Sequence, residues 1–169
     1  YLSGMAGKVE QFGGTLNEFA GDGVMALFGA PDALEPEVQA RQAVLAAREM
    51  QVLMAQLNER WLALGVGRPL QMRIGINTGS VSVGSYGSSG RMTYTALGLQ
   101  TNIASRIEQA AAPGSVLVSH STYKLIRHAF RFEARGEVEC KGVHNPVPTY
   151  SLVTEDAAQD AETRVLPAA

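Results

Sequence analysis

Two short β-prone runs, Thr15 to Ala20 and Val24 to Phe28, meet at Gly21-Asp22-Gly23, and this segment constrains the fold more than any other. Glycine between two such runs signals a hairpin, because it takes the backbone angles of a tight reversal without a Cβ penalty. Pro31 closes the unit. On its N-terminal side Leu2, Met5, Val9 and Phe12 recur at the period of an amphipathic helix, which Gly13-Gly14 stops. On its C-terminal side Ala43, Ala47, Met50, Met54, Leu57 and Trp61 mark one apolar stripe along a long helix from about Glu37 to Trp61, ended by Gly65, Gly67 and Pro69.

The remaining pattern predicts a second strand pair, Leu70 to Ile76 with Ser80 to Tyr86, turning at Asn77-Thr78-Gly79. Gly84 to Arg91 reads as a flexible Gly/Ser-rich stretch. A helix is expected from Leu99 to Ala112, stopped by Pro113-Gly114, then a strand from Ser115 to Ser119 and a short helix from Ser121 to His128. Phe130 to Cys140 and Val147 to Val153 form a last strand pair. Helices and strands mixed in this order predict an α+β fold, with helices layered on a mostly antiparallel sheet. Residues 1–153 form one domain; from Thr154 onward no apolar period remains, and 154–169 reads as a solvated tail or linker.

Composition narrows the function classes. At 169 residues, 46% hydrophobic and 18% charged, the chain is a foldable single domain and not a disordered one. No stretch approaches the roughly 18 apolar residues of a spanning helix. Net charge is −2, which argues against a broad nucleic-acid footprint. The single Cys140 has no internal disulfide partner, so a cytoplasmic setting is expected. His120, His128 and His144 lack metal-ligand spacing, and neither a Walker-type phosphate loop nor a nucleophile elbow is present.

Four positions have chemistry worth weighing on the residues alone. Asp22, flanked by glycines, is open to close approach and has the donor type for a hard divalent cation, although Asp-Gly is also simply good turn chemistry. Asn102 and Arg106, four apart on a helix, project side by side, with Ile103, Ile107 and Ala110 on an adjacent apolar stripe. An amide beside a guanidinium suits a ribose oxygen and a phosphoryl group, but also describes a solvated helix face. Lys141, before a glycine between two strands, has the charge to neutralise a polyphosphate or merely to favour solubility.

Taken together, GGTLNEFAGDGVMALFGAP, MRIGINTGSVSVGSYGSSGRMTYTALG, TNIASRIE and CKG resemble, in order, the catalytic domain of class III nucleotidyl cyclases. The resemblance implies a ferredoxin-like sandwich that works as a head-to-tail homodimer, with sites at the interface built from both subunits. It implies attack of a nucleoside triphosphate's ribose 3′-hydroxyl on its own α-phosphorus, assisted by two Mg²⁺ or Mn²⁺ ions. Carried over by position, Asp22 is a metal ligand, Asn102 orients the ribose, Arg106 stabilises the pentavalent phosphorus and Lys141 contacts the terminal phosphates. Glu18 and Thr95 match the purine-contact positions. A carboxylate at 18 accepts from guanine N1–H and N2–H₂ and repels the adenine N1 lone pair, which favours GTP over ATP.

Two departures from the family pattern stand out. Thr93 occupies a position where Asp is common. The chain also opens after the family's first strand, which brings another metal-binding Asp, so that N-terminal strand is expected to be missing. Three alternatives follow: an adenylyl cyclase, an inactive cyclase-like nucleotide-binding or dimerisation fragment, and a ferredoxin-like RNA-binding domain. The last lacks paired aromatics and a basic face.

Overall fold

A computed structural model describes residues 1–88 and 90–154. In chain order the elements are α1 (Leu2–Gln11), β1 (Gly14–Ala20), β2 (Gly23–Phe28), α2 (Pro36–Ala63), β3 (Ile74–Ile76), β4 (Ser82–Ser88) and β5 (Arg91–Leu97). They continue with α3 (Leu99–Ala110), β6 (Val116–Ser119), α4 (His120–Ile126), β7 (Phe132–Val138) and β8 (Val147–Leu152). The expected first hairpin is there: β1 and β2 are antiparallel from Gly14↔Phe28 to Ala20↔Gly23, and Gly21 takes φ +64° at the reversal. The fold is α+β and the pairings are antiparallel except β3 with β6, which run parallel. Three sheets replace the single one expected among the described residues: β1-β2, β4-β5 and the four-stranded β3-β6-β8-β7.

Two segments depart from the expected pattern for local reasons. Of Leu70 to Ile76 only Ile74–Ile76 is strand, because α2 side chains bind the preceding backbone in place of a ladder. Asn58 brackets Leu70, its amide donating to Leu70 O at 2.8 Å and its oxygen accepting Leu70 N–H at 2.9 Å. Gln51 Nε2 donates to Met72 O at 2.9 Å. Asn77-Thr78-Gly79 does not turn β3 back onto β4 either. Asn77 donates to Gln100 O (3.1 Å) and Gln100 Oε1 (2.8 Å) and accepts from Ser121 Oγ (3.2 Å), which holds the chain against α3 and α4. The partner of β4 is instead β5, paired from Ser82↔Leu97 to Ser88↔Arg91 across the stretch expected to be flexible. The predicted tail falls, from residue 155 onward, outside the described residues.

Alternation along β6 explains the layering. Val116 and Val118 pack with Ala40, Val44 and Ala47 of α2, Ile126 of α4 and Leu152. Leu117, pointing the other way, joins Ile103 and Ile107 of α3. The central sheet is therefore covered on both faces. Ala111, and not the exposed Ala110 of the expected stripe, completes the α3 contact. A third cluster joins Met5 and Val9 of α1 to Met50 and Met54 of α2, with Val24, Ala26 and Phe28 of β2 against it. A fully buried Val, Ile or Met such as Val44, Ile107 or Met5 is worth about 1.5–3 kcal/mol, and α2 enters two of the clusters.

Candidate active site

Helix α3 presents its polar side outward because Ile103 and Ile107, 6% and 0% exposed, anchor the opposite side. Asn102, Ser105, Arg106 and Gln109 then share one face, and with Cys140 and Lys141 they line a cavity of about 290 Å³. A second cavity of about 380 Å³ is lined by Arg106, Cys140 and Lys141 together with Glu139, Val143, His144 and Pro146. These sizes fall at the small end of ordinary ligand sites. The far wall is the connection between β7 and β8, where Gly142 adopts φ +87° and lies so near α3 that a Cβ there would meet Leu99 Cδ1 at 3.3 Å. That approach holds the Lys141 loop opposite Arg106. Arg106 Nη1 donates to Gln109 Oε1 at 3.1 Å, which braces the guanidinium and leaves further N–H donors for an anion.

Asn102, Arg106 and Lys141 thus line one cavity. Asp22, Glu18 and Thr95 line neither cavity. Asp22 is exposed at the β1-β2 reversal. The Tyr1 phenol is pushed up, first by burial and then by the negative charge of Asp22. Glu18 is exposed on β1, one residue past a bulge: Leu16 pairs with Ala26 and Glu18 with Met25, leaving Asn17 without a partner on β2. Asn17 is instead 9% exposed and reaches β5, where its Nδ2 donates to Thr95 Oγ1 at 3.1 Å and its Oδ1 accepts Ala96 N–H at 3.1 Å. Thr93 stands two residues before Thr95 on β5, opposite Tyr86.

The carboxylate of Asp22 fits a hard divalent cation in donor type. Among the described residues, no group of three or more His, Cys, Asp or Glu side chains gathers to hold a metal ion. The described residues therefore supply one carboxylate and not a complete protein cage.

Several lining residues escape the sequence reading. Ser105 and Gln109 follow from helical period once Asn102 and Arg106 are chosen, since positions three, four and seven apart share a face. Glu139 and His144 enter only through the fold of the β7-β8 loop. Asn17 gives no local sign, because a bulge breaks the alternation that would reveal its direction.

The family sequence model described as "Adenylate and Guanylate cyclase catalytic domain" matches residues 9–154. Adenylate cyclase 1 of Rhizobium meliloti (strain 1021) is 32% identical over 142 residues, 83% of this chain and 21% of that protein, so the chain spans about a fifth of that relative's length. Among solved structures, the adenylyl cyclase CyaB from P. aeruginosa superposes with a TM-score of 0.89 at 38% identity, covering 93% of this chain and 80% of that one. The guanylyl cyclase Cya2 superposes with a TM-score of 0.83 at 37% identity, covering 94% and 80%. With the fold, the α3 cavity and the match over nearly the whole described chain in agreement, the chain belongs to the adenylate and guanylate cyclase catalytic domain family, the class III nucleotidyl cyclases.

Proposed function

We propose that this domain converts GTP to 3′,5′-cyclic GMP and pyrophosphate. The observation that supports the base choice is a carboxylate, Glu18, on β1 directly after Asn17, whose amide donates to the Thr95 hydroxyl on β5. Glu18 accepts from guanine N1–H and N2–H₂, which at about 1–3 kcal/mol per bidentate pair amounts to tenfold discrimination or more. In the reaction the ribose O3′ forms a bond to the α-phosphorus, the bond from that phosphorus to the bridging oxygen breaks, pyrophosphate leaves and the hydroxyl proton passes to water. Asn102 orients the ribose. Arg106 faces the α-phosphoryl oxygens, where its planar donors meet charge that grows in the transition state. Lys141 holds the terminal phosphates across the cavity. Mg²⁺ or Mn²⁺ bound at Asp22 would supply Lewis-acid polarisation of the phosphoryl oxygens and stabilise the leaving group.

Because Asp22 lies outside the cavity of Arg106 and Lys141, the proposed working unit is a homodimer in which the Asp22 of one subunit serves the cavity of the other. The test is product formation from GTP and from ATP by the full-length protein with Mg²⁺ or Mn²⁺. Cyclic GMP as the main product supports the assignment, and turnover of ATP alone overturns it. Adenylyl cyclase is the second reading, kept because an adenylyl and a guanylyl cyclase structure match almost equally, at 38% and 37% identity. An inactive nucleotide-binding or dimerisation module is the third; nucleotide affinity without any product would establish it.

A further inference from the structure

Asn17 has two bonds of unequal freedom. Its bond to Ala96 runs from a backbone N–H, which can only donate, so the side-chain oxygen must be the atom that faces it. The amide nitrogen is thereby committed to Thr95 Oγ1, 3.1 Å away. An amide NH₂ has no lone pair to offer, so Thr95 is the acceptor in this contact. Its own proton, together with one lone pair, stays available for something else. Accepting a hydrogen bond polarises the O–H, so a hydroxyl used this way is the stronger donor toward an acceptor in front of it.

We propose that Asn17 is a positioning residue for base choice, which sets the Thr95 hydroxyl as a donor toward the 6-position of the purine. Guanine presents an acceptor there, O6, and adenine presents an amino group. Combined with a carboxylate at Glu18, the β1-β5 pair then shows one acceptor and one donor, the complement of guanine's N1–H and O6. Asn17 is the residue of β1 left without a partner at the bulge, and its side chain reaches β5 of the neighbouring sheet. The inference rests on the reading of Glu18 and Thr95 as purine contacts.

The same geometry predicts an inversion. An Asn17→Asp carboxylate would accept both the Ala96 N–H and the Thr95 proton, leaving the hydroxyl with lone pairs alone and aimed at the base. The experiment measures dissociation constants for GTP and ATP by calorimetry, and kcat/KM for each, on full-length protein with the wild-type sequence, Asn17→Asp, Thr95→Val, the double variant and Glu18→Lys. A hydrogen bond of ordinary net strength corresponds to about five- to tenfold in affinity, so Asn17→Asp should lower the GTP-to-ATP preference by about that factor. The double variant should show no further change beyond Thr95→Val. An equal shift in the Thr95→Val background, or no shift from Asn17→Asp while Glu18→Lys moves the preference, overturns the role of Asn17 and leaves the purine reading standing. Preference unmoved by any of Glu18→Lys, Thr95→Val and Asn17→Asp overturns both. Wild-type protein supplies an arm that needs no variant to fold: replacing guanine O6 by sulfur, a weaker acceptor, in 6-thioguanosine triphosphate should cost affinity several-fold, and equal affinity for the two nucleotides overturns the proposal.

Discussion

Arg106 and Lys141 place two positive charges on separate elements that face one cavity, and the two do different work. Arg106 is braced by Gln109 and presents a planar fork, so its contribution should rise as charge gathers on the α-phosphoryl group. Arg106→Ala is expected to lower kcat by about 10²–10³ with little change in KM, the range seen for loss of one transition-state donor, and steady-state kinetics on the preferred nucleotide checks it. As a proposed purine contact, Glu18 would act on the ground state as well. Glu18→Lys replaces an acceptor by a donor and should move preference toward ATP by about tenfold or more, read as the ratio of kcat/KM for the two nucleotides. Glu18 stands out in the sequence only through the family register, whereas Arg106 is already marked by its spacing from Asn102, although each is by composition an ordinary exposed polar side chain.

The elements differ in how plainly the chain announces them. Helices α1, α2 and α3 follow from apolar stripes in which Met5, Val9, Met50, Met54, Ile103 and Ile107 are buried, while Leu2, Phe12, Leu57 and Trp61 at the ends are partly exposed. The β1-β2 hairpin follows from its glycines. The pairing of β3 does not, because it depends on residues far along the chain: β6 lies beside it in parallel, and α2 amides hold the residues just before it. The β4-β5 hairpin is hidden by small residues, with glycines at 84 and 87 and serines at 82, 85 and 88. Gly75 shows what long-range packing asks of one position. A Cβ there would come within 2.3 Å of Glu108 N and 2.6 Å of Ala104 O, both backbone atoms of α3 that have no rotamer to give. Gly75→Ala should therefore push α3 off β3, at about 1–3 kcal/mol as for other overpacked sites. Thermal denaturation should show the loss, and nucleotide turnover should fall with it because Asn102 and Arg106 ride on α3.

At the scale of the whole molecule, the proposed division of the site between subunits can be tested without a structure of the pair. Asp22→Asn and Arg106→Ala proteins should each be inactive alone. Mixed in equal amounts and allowed to exchange, half of the dimers would be mixed, each with one intact site of two, giving about a quarter of wild-type activity. No recovery on mixing would mean that one subunit supplies both residues to a site. Among the described residues no helix is long and apolar enough to cross a membrane. The separation of the chain into three sheets has a mechanical consequence. Within a sheet, tilting one strand against its neighbour breaks ladder hydrogen bonds, whereas plates joined by side chains can rock while every ladder stays intact. Glu18 and Thr95, the proposed purine contacts, ride on the two small plates, and Asn102 and Arg106 on α3, which packs on the large one. A tilt of one plate against another would change the distance between Thr95 and Arg106 without opening a ladder.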